Sequence, residues 1–166
     1  MSSFFSRLYA ERLNQLTRAW VDEIYAERRT DLPRLLSFRE LVEFVPEVCD
    51  ELGALLDERA GATAVHEAAR RLRVLAQTRY QQGALLDEVA RELMILREVT
   101  AGFLWREAPE ASGGEVECGE LLPLLHRFFD EVIAQAILVY AVSQRPTFPT
   151  RDTVWPPPRA RRGRTK

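Results

Sequence analysis

Two cysteines, two histidines and eight glycines in 166 residues leave few ways to build a metal, redox or phosphate site. A pair of thiols, Cys49 and Cys118, cannot form a disulfide framework, and in a reducing compartment such residues behave as partly buried small hydrophobes. His66 and His126 stand alone, with no His-Glu-x-x-His helix, no paired-cysteine cluster and no glycine-rich phosphate loop anywhere in the chain. The shortage of glycine also argues against a turn-rich β fold. No apolar run approaches the roughly 20 residues that cross a bilayer, and Met1–Arg7 lacks the apolar stretch of a signal peptide, so the expected location is the cytoplasm. With no nucleophile and base set at catalytic spacing, the chain reads as a protein that is not an enzyme and holds no cofactor.

What remains is helical amphipathicity. A hydrophobic fraction of 46% and a charged fraction of 29% suit one globular core. Phe5, Leu8, Tyr9, Leu13, Leu16, Trp20, Ile24 and Tyr25 recur at spacings of three and four and predict one long helix. Thr30 or Asp31 can cap a short turn with Pro33 in its first positions. Ser37 and Glu40 form a capping box ahead of Leu41, Phe44, Val45, Val48, Leu52, Leu55 and Leu56, with Pro46 forcing a kink or a restart. Gly61 is expected to end that segment and Thr63 to cap a helix running to Gly83. Asp87 and Glu88 open a fourth helix through Val89, Leu93, Leu96, Val99, Phe103 and Leu104, with a loop expected from Pro109 to Glu117. The many carboxylates read as a solvated face paired with arginine, Glu88 with Arg91 among them.

The last helix is apolar on two sides. Leu121, Leu125, Phe128, Val132 and Val139 make one stripe, and Leu122, Phe129, Ile133, Ile137 and Tyr140 make a second beside it. A helix with two apolar faces needs two partners, and the second stripe is the predicted interface of a homodimer. Beyond it the composition changes. Of 23 basic residues, seven lie from Arg145 onward beside a single acid, which leaves 16 basic against 24 acidic residues before them. The expected division is therefore a helical domain over 1–144 and a tail over 145–166, rich in proline and arginine and without fixed structure. The basic run at 159–166 is the one hint of nucleic acid, and an acidic body weighs against that partner. A membrane partner is not expected, since the tail is no amphipathic helix.

The stretch from Leu75 to Arg97 resembles the core motif of the N-terminal domain of RsbR-type stressosome proteins, the RsbT co-antagonist (RsbRD-like) family, through Arg79, Gln82, Gly83, Leu86, Glu88, Arg91, Glu92, Leu96 and Arg97. Trp20 and the set Leu41, Pro46, Glu47, Glu51 and Leu52 extend the similarity across about residues 5 to 142. The resemblance implies an all-α, globin-like bundle of five to six helices without haem, dimeric, serving as signal input to stress regulators and some histidine kinases. It further implies a regulatory partner such as a kinase, a phosphatase or a STAS-type protein, because no output domain follows in this sequence. Two positions where the family often has histidine are Leu75 and Phe44 here. For the group Arg79, Gln82, Arg91, Glu92 and Arg97 two roles are expected: satisfying carbonyls at a helix end and pairing within the group, or relaying a ligand signal. The competing function is an apolar-ligand carrier with Phe38, Phe44, Phe103, Phe128 and Phe129 around a pocket between helices.

Overall fold

A computed structural model describes residues 3–113 and 118–143. Those residues form an all-α bundle of eight helices: α1 (Phe4–Ala26), α2 (Leu32–Leu35), α3 (Phe38–Val42), α4 (Val45–Glu58), α5 (Ala62–Arg71), α6 (Arg73–Gln81), α7 (Leu86–Ala111) and α8 (Cys118–Ser143). Two of them, α2 and α3, are single turns, so six carry the fold. Helix α8 lies against α4, α5, α6 and α7, while α1 packs on α4 and α7. One continuous core runs through all of them and includes Tyr9, Trp20, Leu52, Leu93, Phe103, Phe128 and Phe129.

Long helix α1 begins without a side-chain cap of its own. Asp57, from the last turn of α4, supplies one instead: its carboxylate accepts the amides of Phe5 (2.7 Å) and Ser6 (3.0 Å) and the Ser6 hydroxyl (2.7 Å). Unpaired first-turn amides and the positive end of the helix are thereby satisfied from another element. Gly53 makes this closeness possible, because a Cβ there would stand 2.8 Å from the Ser6 Cα.

Several boundaries differ from those the sequence predicts, each for a local reason. Of the two outcomes expected at Pro46, a kink or a restart, the structure shows the restart: Pro46 is the second residue of α4, where its missing amide costs nothing, and α3 and α4 are separate. Arg59, in the left-handed region at φ 47°, ends α4, with the Ala60 amide reaching back to the Leu55 carbonyl. Gly61 instead starts α5, and Thr63 lies inside that helix. A break at Leu72 divides the expected single helix into α5 and α6. Helix α7 continues through Pro109 to Ala111, where Pro109 removes an amide only from the final turn. The expected tail of 145–166 lies outside the described residues.

Candidate functional site

The end of α6 sets the geometry. Gly83, at φ +88°, occupies the left-handed position, the Ala84 amide donates to the Arg79 carbonyl (3.0 Å), and the Gly83 amide donates to the Tyr80 carbonyl (3.1 Å). This paired closure turns the chain sharply into α7. Helix α7 then opens on its own cap, in which the Glu88 carboxylate accepts the Leu85 amide at 2.8 Å. The turn thus brings the last turn of α6 beside the first two turns of α7, and Arg79 beside Glu92.

Arg79 is 0% exposed and Glu92 3%. The guanidinium meets the carboxylate twice, Nη2 to Oε1 at 2.7 Å and Nε to Oε2 at 3.0 Å. Its remaining hydrogens leave the pair: Nη1 donates to the Glu40 carbonyl (3.0 Å) and to Gln82 Oε1 (2.9 Å), and Nη2 donates to the Leu41 carbonyl (3.0 Å). Glu43 approaches Nη1 at 3.5 Å, and the Phe44 ring lies 5.4 Å beneath the guanidinium carbon. Every donor of a charge that cannot be shed is therefore met, as a buried arginine requires. Burial pushes the Glu92 carboxyl above its usual range, and Arg79 pulls it back toward the charged form. The Glu92 backbone carbonyl accepts the Trp20 indole at 3.3 Å, which ties α1 to the same point.

Glu88 is the second anchor. Besides capping α7 it accepts the Asp31 amide at 2.8 Å. The expectation that Glu88 sits in solvent and pairs with Arg91 is therefore corrected: Glu88 is buried against the Asp31 amide and Glu92 against Arg79. Arg91 and Arg97 stand apart from the cluster. Arg97 reaches Asp130 of α8 at 3.2 Å. Arg91 acts on Glu27 through its charge, and its Nε is buried without a hydrogen-bond partner among the described residues. Tyr140 closes the site from α8, donating to the Ala84 carbonyl at 2.7 Å and meeting the Tyr80 ring edge to face at 5.2 Å. Burial, then the charges of Glu92 and Glu88, push its phenol up to about 12. Periodicity had marked Tyr140 only as apolar; its hydroxyl role is invisible without the turn beside it.

The expected dimer stripe divides in two. Phe129 and Tyr140 are buried inside the subunit and Leu122 and Ile133 are half-buried, because four helices surround α8 and widen its buried arc. Ile137 is 48% exposed, and Leu138 (51%) and Val142 (62%), absent from the expected stripe, share its surface. Val74 and Tyr80 of α6 are exposed as well, and a groove lined by Arg73, Gln77, Leu138 and Val142 runs between the two helices.

The aromatics of the carrier reading do not converge on a pocket. Phe103, Phe128 and Phe129 are packed core, Phe38 is exposed, and Phe44 is the platform under Arg79. An open groove of about 480 Å³ instead separates α1 from α7, lined by Ala19, Met94, Val99, Gly102, Glu23 and Arg106. His66 is exposed and faces Glu131 at 3.1 Å, and no cluster of metal-ligating side chains occurs among the described residues.

No curated protein and no solved structure matches the chain. The family model described as "RsbT co-antagonist protein rsbRD N-terminal domain" matches residues 14–153, which take in the Arg79–Glu92 cluster, the turn at Gly83 and nearly all of the bundle. The chain therefore belongs to the RsbT co-antagonist rsbRD N-terminal domain family, a family of regulatory stress-signalling domains.

Proposed function

We propose that the protein is a cytoplasmic signal-input or scaffolding module of a bacterial stress or two-component system, working without catalysis by self-association and by binding a regulatory protein such as a kinase, a phosphatase or a STAS-type protein. Family membership supports the regulatory role. The single observation that carries the self-association is the surface of α8: from Val132 to Ser143 it has no charged residue, yet Ile137, Leu138 and Val142 are largely exposed beside Val74 and Tyr80. An apolar patch on two adjacent helices, with Arg73 in the groove between them, is the kind of surface that pairs isologously with its own copy.

Light scattering after size exclusion tests the reading. The expected species is a dimer at micromolar concentration, and Leu138→Glu should yield a monomer whose circular dichroism is unchanged. A wild-type monomer at that concentration overturns the dimer.

A further inference from the structure

Residues 27–44 are joined to the rest of the molecule at few points. Helices α2 and α3 touch each other, and α2 touches α1, but neither makes a broad contact with α4 to α8. Leu32, Leu36 and Leu41 enter the core, while Leu35 and Phe38 remain exposed. The polar attachment rests on two buried side chains, one on either side of the Gly83 turn. Glu88 holds the Asp31 amide, and Arg79 holds the Glu40 and Leu41 carbonyls. Helix α3 is self-sufficient at its front, where Ser37 and Glu40 cap each other. Its rear carbonyls depend on Arg79.

We propose that residues 27–44 are a strap that opens as a unit from an otherwise folded domain, with Arg79 and Glu88 as its clasp and the exposure of Leu32, Leu36 and Leu41 as the result. An element whose backbone lies against few other helices and whose polar attachments to the rest of the domain are gathered on two side chains lies at the low end of local stability, where switching segments are found. The clasp is also all-or-none in character. The guanidinium that pairs with Glu92 is the same one that holds α3, so displacing it releases two carbonyls together. The device belongs to a single subunit and stands whether or not the protein dimerises.

Hydrogen exchange of the full chain, read by mass spectrometry, decides the matter with two variants. Arg79→Lys keeps the charge but cannot reach Glu92 and both carbonyls at once; Glu88→Gln leaves the buried ion pair intact and weakens the other anchor. In each, amides of 31–44 should exchange at least about tenfold faster, as expected when a buried charged contact is broken. Those around Trp20 and Phe128 should stay within about twofold. Among the described residues, trypsin should then cut first after Arg34 or Arg39, both exposed in the strap. Acceleration shared equally by all helices would mean that the strap leaves only when everything unfolds, and unchanged strap exchange in Glu88→Gln would remove the clasp; either overturns the proposal. Should Arg79→Lys not fold, Glu88→Gln decides alone.

Discussion

Arg79 and Glu92 stabilise the molecule only as a pair. Neither Arg79→Met nor Glu92→Gln leaves a satisfied partner, so each should destabilise the domain by about 3–5 kcal/mol, whereas the double variant should cost clearly less than the sum. Urea titrations of the three variants check this, and strict additivity would show that the two groups act independently. Tyr140 gives a second residue-scale expectation. Its phenol titrates near 10 in an unfolded chain but at about 12 here. A raised value means that stability is complete below about pH 10 and is lost as pH climbs through 12. Buried Tyr9 is displaced in the same direction, and Cys49 is pushed up to about 12. Of the 23 basic residues only Lys166 is a lysine, so the arginines keep their charge throughout this window. Circular dichroism against pH should show alkaline unfolding between about pH 10 and 12. Tyr140→Phe, less stable at neutrality, should lose stability less steeply there; identical slopes would remove Tyr140 as a contributor.

Among the elements, the contact of α1 with α4 is the most exacting. Gly53→Ala places a methyl against the Ser6 backbone rather than against a movable side chain. It should therefore cost about 1–3 kcal/mol despite the better helix propensity of alanine. Asp57→Ala removes the borrowed cap and should cost about 1–2 kcal/mol. Both shifts are measurable by thermal denaturation, and a stabilised Gly53→Ala would show that the helices can separate freely. These elements also show what the sequence made legible. Helix α1, the Ser37 capping box and the acidic start of α7 followed from periodicity and cap residues, since those signals are local. Asp57 carried no such signal: its partners lie 51 and 52 residues away, and a carboxylate near the end of a helix looks like any solvated acid. Arg59 in place of Gly61 was hidden for a related reason, because hydrogen bonding to Leu55 and Leu56 holds a non-glycine residue left-handed.

For the whole molecule, the sequence announced a second apolar surface on α8 but misplaced it by part of a turn. Periodicity orders residues around one helix; it does not say how many neighbours the helix has. With α4, α5, α6 and α7 all against α8, the buried arc takes in Phe129 and Tyr140 and leaves the surface to Ile137, Leu138 and Val142. Charge substitution therefore has opposite consequences about two and a half turns apart. Leu138→Glu should separate subunits and leave the fold, whereas Phe129→Glu should abolish the fold itself, and circular dichroism beside light scattering distinguishes the two. The motif residues behaved similarly. Their proximity in sequence suggested a shared task, but that Arg79 and Glu88 reach to residues 27–44 is a fact of tertiary structure.

That reach has a bearing on how the chain is made. The carbonyls that Arg79 holds lie 38 and 39 residues earlier, and the amide held by Glu88 lies 57 residues earlier. A chain emerging from its N-terminus produces the connection between α1 and α4 long before the side chains that fasten it. Those residues must stay open until the turn at Gly83 has formed behind them, so a nascent chain stopped short of residue 92 would hold its early helices without their fastening. Closing that long loop is an entropic step of the kind that slows folding, and it places the last act of the N-terminal half in the hands of the turn between α6 and α7.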